Sequence, residues 1–501
     1  MQLLSKHVRS ILIGILAISL LGVYLLTMAP GLTWANFGSD GGDLIAAAAT
    51  GGVAHPSGYP LYLLLARLFQ WIPVGTLAFR TNLLSAVAVA LAAVLVFELT
   101  VRSLSVSEER PNWWAGLASA YTFGLAPLVW SQAVITEVYG VHLLFVVTIL
   151  FLSSGRLSSF FTPPRLDICL GLAFGLGMSN HVTTILLLPL LFSAIPAGQP
   201  RFPALLRRAA WIGAGLLVYL TLPLRAIQSP PINWGNPATV DGFRWLVTGS
   251  AYQPQFWNLN STLVWERARV AAGLLLDQAG LPGLLLAVAG LIFFFKPSAL
   301  YRNLTWMMAA FLAFALLYGT SDSFVYLLPV SLGLAILIGI GVAGVVTALR
   351  QQVPRLAGFA SPILILLLLL PVGNHWHLVD ASRDLRAETF GRQVLLQAPR
   401  EAIVFATGDK AIFTMWYFHF ARKERSDMAI VATELLGFDW YQQTLHSTYP
   451  DLELPGPFPF AERMAALNPD RPICFVEYID RVQIQCQTAD MPSREVFSLH
   501  R

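Results

Sequence analysis

Residues 11–29, ILIGILAISLLGVYLLTMA, follow Lys6 and Arg9 and are long enough to cross a hydrocarbon core. No A-x-A-like cleavage site follows them, so this stretch is expected to stay as a first membrane helix instead of leaving as a signal peptide. Further apolar runs begin near residues 79, 113, 134, 167, 182, 209, 280, 303, 324 and 357, which predicts about 11 membrane segments. The whole chain agrees: of 501 residues 56% are hydrophobic and only 12% charged, with a mean hydropathy of +0.62. A pI near 9.0 does not point to nucleic acid, because Lys and Arg fall in short loops between apolar runs and form no basic face.

With the N-terminus inside, the inner loops carry Lys6, Arg9, Arg102, Arg110, Arg156, Arg165, Arg201, Arg207, Arg208, Lys296, Arg302, Arg350 and Arg355. The outer side before the tail carries only Arg67, Arg80, Arg225, Arg244, Arg267 and Arg269, the asymmetry that the positive-inside rule predicts. An odd number of crossings places the C-terminal region outside. This map splits residues 167–197 at Ser179-Asn180-His181 into a hairpin. Its arms of about 15 residues are roughly 22 Å long, so the polar tip should be recessed. A single tilted helix would instead reverse every later loop.

Two outer loops are too long to be simple connections. The first, 31–78, contains GYPLYLLLARLFQWIP, suited to lying along the interface. The second, 228–270, holds Trp234, Trp245, Tyr252, Trp257 and Trp265, either an interfacial belt or a platform for sugar rings. Residues 1–373 hold 11 Asp and Glu, whereas the 128 residues from Asn374 hold 17. From there β-rich runs (AIVFATG, MAIVATELL, PICFVEYI) alternate with helical ones (KAIFTMWYFHFARKE, DWYQQTL), the pattern of a small soluble α/β domain over 374–501. The predicted fold is thus an all-α polytopic membrane domain, 1–373, followed by an extracytoplasmic α/β domain. Three cysteines, with no CxxC pair, exclude a disulfide scaffold and a Cys-based zinc site. Cys474 and Cys486 flank an expected strand-turn-strand and could be bridged or free.

The membrane part carries few acids, and several fall at its outer face: Asp40, Asp43, Glu137 and Asp322. Insertion cost alone drives acids to segment ends, at about 2.5–3.5 kcal/mol for one at mid-membrane. That argument covers Asp322 and part of Glu137. It covers GSDGGDLIAAAATGGVAHPSGYP (38–60) less well, where two carboxylates three residues apart open a small-residue helix and share a loop with His55 and Tyr59. Capping by Asp40 would explain one acid only. A glycosyl transfer needs such a group, since the acceptor hydroxyl must lose its proton as it attacks the anomeric carbon. A lipid phosphate leaving group needs cations or hydrogen-bond donors, for which Arg225, His181, His55 and Arg80 are candidates. Two carboxylates and a histidine form no dedicated metal site, and no metal or cofactor is expected.

The first loop, RTNLLSA, SQAVITEVYGVH, GLGMSNHVTTILLLP, LPLRA with INWGNP, and DSFVYLLPVSL occur in the order found in an abundant bacterial family, which this chain resembles. That family also includes the animal endoplasmic-reticulum O-mannosyltransferase acting on plexin-type IPT domains. The tail GDKAIFTMWYFHFARKERSDMAIVATELLGFDWYQQTL resembles the same family's usual C-terminal part. The resemblance implies a GT-C fold, an extracytoplasmic active site on the first outer loop, a polyprenyl-phosphate sugar as donor, and inversion at the anomeric centre. Asp40 matches the family's catalytic position, and Asp43 stands where relatives more often carry Glu. His55, Tyr59, Glu137, Tyr139, Asn180, His181 and Arg225 fall in matching blocks. The expectation is therefore an inner-membrane hexosyltransferase that moves a sugar, by analogy mannose, to a protein or glycan hydroxyl. A lipid or solute transporter is the alternative, although the acids sit at one face and no internal repeat is evident. About 11 crossings are too many for a sensor's anchor.

Overall fold

The computed structural model describes residues 2–104, 112–155, 162–193, 195, 200–256, 261–293, 298–320, 322–454, 456 and 460–486. Arg110, Arg156, Trp257 and Lys296 of the sequence map lie outside the described residues. Long apolar helices dominate: α1 (Gln2–Thr27), α4 (Leu77–Leu104), α5 (Trp113–Gly124), α7 (Tyr139–Ser153), α8 (Pro163–Asn180), α9 (Arg201–Leu216), α12 (Ser261–Phe293), α13 (Ala299–Leu317), α14 (Leu328–Gln352) and α15 (Pro354–Leu369). Shorter helices α2 (Gly41–Thr50), α3 (Pro60–Gln70), α6 (Pro127–Ala133), α10 (Thr221–Ala226) and α11 (Val240–Val247) occupy the connections, and a 3-10 segment spans Val182–Phe192. Seven helical stretches among the described residues are long and apolar enough to cross a membrane. The last of these, Ala357–Val379, runs through α16 (Val372–Val379) and past the expected boundary at 373/374.

Charged pairs show which helix ends lie together. Arg9 and Arg102 both bind Glu98, which joins the start of α1 to the end of α4. At the start of α8, Asp167 accepts bonds from Arg207 (2.7 Å) and Arg208 (2.8 Å). Arg208 also donates to the carbonyls of Leu191 and Ser193. The start of α8 and the end of the 3-10 segment are therefore neighbours, so the chain doubles back between them. The turn is His181, whose extended backbone (φ −152°, ψ 127°) ends α8. Asn303 brings in the same end of α7 and α13 by bonding Ser153 and Ser193.

Beyond the apolar bundle come α17 (Arg386–Gln397), β1 (Ile403–Thr407), α18 (Asp409–Trp416), β2 (Ala429–Ala432), α19 (Asp439–Thr448), α20 (Phe460–Leu467), β3 (Ile473–Tyr478) and β4 (Val482–Cys486). The sheet order is β2-β1-β3-β4, with β1 parallel to β2 and β3, and β3 antiparallel to β4. The apolar β1, β2 and β3 stand in the three β-rich runs, with β1 and β3 central and β2 at the edge. Cys474 and Cys486 face each other across β3 and β4 and are bridged.

This α/β unit does not hang free from the membrane part. Leu44, Ile45 and Ala46–Ala48 of α2 share one core with Phe405, Phe413, Trp416 and Val431. Gly42 makes that contact possible, because a Cβ there would lie 2.3 Å from the Phe413 carbonyl oxygen. Asp384 pins the preceding chain by accepting from Thr33 Oγ1 (2.6 Å) and the amides of Trp34 (3.0 Å) and Ala35 (2.8 Å). Burial would raise the Asp384 carboxyl, but the bonds from Arg386 and from the Thr33 hydroxyl outweigh it and hold the carboxyl down at about 2. Helix α3 is amphipathic: Tyr62, Leu63 and Ala66 are buried, while Leu64 and Leu68, and Trp71 just past its end, are exposed.

Candidate active site

Helix α2 starts at a carboxylate cluster. Asp40 immediately precedes it, yet its side chain makes no capping hydrogen bond. The carboxylate instead accepts from Ser39 Oγ (3.2 Å) and lies 3.5 Å from His55 Nε2. Asp43, one turn on, is fully buried and accepts from the His55 amide (3.0 Å), His55 Nδ1 (2.7 Å) and Trp234 Nε1 (3.1 Å). The imidazole thus bridges two acids that the sequence places three residues apart.

The loop after α2 makes the bridge possible. Gly51 (φ +72°) ends the helix in the left-handed region, and Gly58 (φ +83°) turns the chain again before α3. Between them, Val53 donates to the Ile232 carbonyl (2.8 Å) and accepts from the Trp234 amide (3.3 Å). The second outer loop is thereby fastened to the first beside His55, which delivers the Trp234 indole to Asp43.

The two acids differ in access. About a third of the Asp40 side chain is exposed (34%), whereas none of Asp43 is. Burial among protein atoms raises the Asp40 carboxyl; the His55 charge works against this, and Asp43 and Asp322 add to it. Burial would lower His55, but Asp40 and the bond to Asp43 prevail and raise it to about 9, so at neutral pH it is an imidazolium. Glu137 is buried next to this cluster, and burial followed by the Asp40 charge holds its carboxyl well above the usual range. Asp409, at the start of α18, feels the same acids: burial and then Asp40 raise it to about 6.

Behind His55 stands an aromatic wall. Tyr59 packs edge-on against His55 (5.1 Å between ring centres) and stacks on His181 (5.9 Å). Tyr139 and Tyr326 close on the same His181 ring at 5.5 and 5.9 Å. Asn180, next to it, donates to the Val138 carbonyl and so ties the hairpin tip to the start of α7. Asp40, Asp43, His55, Tyr59, Glu137, Tyr139, Asn180 and His181 therefore converge, although they come from three separated stretches of sequence.

Arg80 does not join them. Its guanidinium donates to the carbonyls of Gln70 (2.7 Å), Val74 (2.8 Å) and Gly75 (2.9 Å), which closes the turn between α3 and α4. Arg225 lies at the opposite end of α2, donating to the Gly52 carbonyl (3.0 Å). Arg67 donates to Ala49 there (3.0 Å) and repels Arg225, and neither forms an ion pair with an acid among the described residues. Gly52 is three residues from His55, a span of at most about 10 Å of extended chain.

Of the second-loop aromatics, Trp234 packs with Trp416 (6.1 Å) and Trp440 (5.7 Å), and Trp245 with Phe438 (5.8 Å) and Trp440 (6.0 Å). Those two line the seam with the α/β unit and are not a belt facing lipid. Trp265, 61% exposed, stands apart with Arg269 over its ring. As site residues, sequence reasoning left out Arg67, His142, Asp409 and the Trp234–Asp43 bond; His142 and Asp409 carried a signal, as the last residue of SQAVITEVYGVH and the second of the tail that begins GDKAIF.

Comparison with known proteins bears on the family and the fold. The model of the "Protein O-mannosyl-transferase TMEM260 N-terminal domain" matches residues 40–198, and that of "TMEM260-associated domain 2" matches 387–458. Protein O-mannosyl-transferase tmem260 of Dictyostelium discoideum is 24% identical over 89% of this chain and 60% of its own length. TMEM260 of Mus musculus is 26% identical over 87% of this chain and 65% of its own. The chain thus spans 60–65% of the length of these relatives. Among solved structures, ArnT from Cupriavidus metallidurans bound to undecaprenyl phosphate superposes with a TM-score of 0.55, covering 96% of this chain and 98% of that one at 13% identity. The Archaeoglobus fulgidus oligosaccharyltransferase AglB, in complex with an inhibitory peptide and a dolichol-phosphate, gives 0.52 over 98% and 75% at 12% identity. The chain is related to the TMEM260 O-mannosyltransferases and has the GT-C architecture of these glycosyltransferases, as the sequence resemblance implied.

Proposed function

We propose that this chain is a multi-pass membrane glycosyltransferase that moves a sugar, mannose by kinship with the named relatives, from a polyprenyl phosphate to a hydroxyl on an extracytoplasmic protein. The observation that carries the proposal is the Asp40–His55–Asp43 arrangement on the first outer loop, in which one acid is accessible and the other is locked. An eleven-crossing topology, with the basic loops inside and residues 374–501 outside, is the companion reading. The shared end of α7, α8, α9, α13 and the 3-10 segment supports it.

In this reading the acceptor hydroxyl approaches Asp40. As its oxygen attacks the anomeric carbon, the proton passes to the Asp40 carboxylate, and the bond from that carbon to the phosphate oxygen breaks with inversion. The polyprenyl phosphate leaves with the bonding pair. A positioned base of this kind contributes about 10² to 10⁴ in rate. Asp43 is a positioning residue, because three donors consume it and its charge fixes His55. The sugar lies between the carboxylates and Arg225 with Arg67, whose guanidiniums have no acid partner among the described residues and suit the phosphate. The seam of Trp234, Trp245, Trp440 and Phe438 leads away from Asp43 and suits the acceptor.

The test is transfer of radiolabelled sugar from a panel of synthetic polyprenyl-phosphate donors to cell-envelope acceptor, using purified wild type and Asp40→Asn. Transfer by wild type that is lost in Asp40→Asn supports the reading and identifies the sugar. A folded wild type that neither transfers nor hydrolyses any donor overturns it.

A further inference from the structure

His181 is a buried imidazole with three tyrosines against its ring, and its chemistry depends on which nitrogen carries the proton. The structure assigns this. The backbone amide of Thr183 points at His181 Nδ1 (3.3 Å), and an amide can only donate. Nδ1 is therefore the acceptor, and in a neutral ring Nε2 must hold the hydrogen.

The neighbours continue the same sense. With Nδ1 accepting, the Thr183 hydroxyl at 2.8 Å donates to it, which leaves the oxygen lone pairs for the next group. That group is His142 Nε2 at 3.3 Å, which must then be the N–H. His142 Nδ1 is left as an acceptor, and the Thr184 hydroxyl stands 3.5 Å from it. The run Thr184 → His142 → Thr183 → His181 thus has one consistent direction. All four residues are buried, at 0–3% exposure. His181 Nε2 is the one ring nitrogen of the pair with no protein partner among the described residues.

We propose that His142, acting through Thr183, locks His181 as an Nε2–H donor for an acceptor oxygen of the bound glycosyl phosphate. This rests on the transferase reading of the site. His142 and Thr183 touch no substrate and are positioning residues. A donor that is fixed before the substrate arrives costs no reorganisation during reaction, and it places no second cation beside His55. The oxygen it meets belongs to the phosphate or to a sugar hydroxyl, both of which accept.

The experiment pairs spectroscopy with binding. Nitrogen-15 NMR of histidine-labelled protein, with His181→Asn to assign the signal, reads the tautomer without turnover. Wild type should show His181 protonated at Nε2. Thr183→Val, which keeps the branched shape and the backbone amide but removes the hydroxyl, should weaken the preference for the Nε2–H tautomer without abolishing it and lower kcat/KM about tenfold, the rate equivalent of about one hydrogen bond. Thr183→Ser should restore both. His142→Gln, whose amide can still donate to Thr183, should be milder than His142→Phe. Binding of polyprenyl phosphate with and without its sugar separates the oxygens: loss of both in Thr183→Val points to phosphate, and loss of the glycosylated form alone to a sugar hydroxyl. An Nδ1–H signal in wild type, or Thr183→Val binding both ligands like wild type, overturns the proposal. A wild type that shows the Nε2–H signal and binds donor but never transfers would instead sink the transferase reading.

Discussion

Acids cluster at both ends of the helical bundle, and they are treated differently. At the end that carries the starts of α8 and α9, Asp167 is met by two arginines, and nearby in character Glu98 is held by Arg9 and Arg102. At the other end Asp40, Asp43 and Glu137 share one imidazole, with Asp322 and Asp409 also acting on Asp40 or raised by it. Matched charge is what a fold needs to keep an ion out of water. Excess charge of one sign is a cost that persists where chemistry uses it. The contrast separates scaffold from site without reference to any relative.

Four measurements can break or sharpen that contrast. The largest expected effect is on rate: Asp40→Asn should lower sugar transfer by about 10² to 10⁴. Its thermal stability in detergent should be equal to or above wild type, because a like charge is removed; a large fall in Tm would make Asp40 part of the scaffold. The converse holds at the other end, where Arg208→Met leaves a buried carboxylate short of a partner. It should cost about 3–5 kcal/mol in unfolding, and whatever folded protein remains should transfer at the wild-type rate per molecule.

Trp234→Phe lies between these extremes. It keeps the aromatic packing and deletes one donor to the buried Asp43 carboxylate, so about 1.5–3 kcal/mol should be lost. Both Tm and kcat should fall, since His55 depends on Asp43. The smallest change is expected from pH within the neutral range. His55 binds its proton more tightly folded than unfolded, so its stabilising contribution is complete below about 6.5 and is lost as pH rises through about 9. Transfer should therefore be flat near neutrality. It should fall through about 9 as His55 deprotonates, and in acid at a pH above the ordinary carboxylate range, where Asp40 is protonated. A profile whose acid limb sits at the usual carboxylate value would remove Asp40 as the base.

Much of the architecture was legible because it depends on one-dimensional properties. The apolar runs, the three β-rich segments of the tail and the break at Ser179-Asn180-His181 follow from hydropathy, period and a polar interruption, which need no knowledge of partners. Asp40, Asp43 and His55 were legible as a group because they sit within 16 residues of one loop. The resemblance put Asp40 at the catalytic position, but spacing and composition alone could not tell their surroundings apart. Asp40 and Asp43 have the same chemistry and similar settings in the chain, and only the approach of Trp234 from the second loop consumes Asp43 and leaves Asp40 accessible.

The same limit explains the arginines. Arg80 and Arg225 both read as outer-face cations, but backbone carbonyls that happen to converge in the turn after α3 occupy the first, while the second shares the far end of α2 with Arg67. Burial, partner and distance are properties of pairs, and pairs remote in sequence are set by packing. The sequence by itself determined that this chain is a mostly helical multi-pass membrane protein with a small sheet in its tail, and which loop carries its acids. The tertiary structure decided which acid is free, which histidine nitrogen faces the site, and that the α/β unit and the first loop share one core, because each follows from a contact between segments that hydropathy and spacing cannot order.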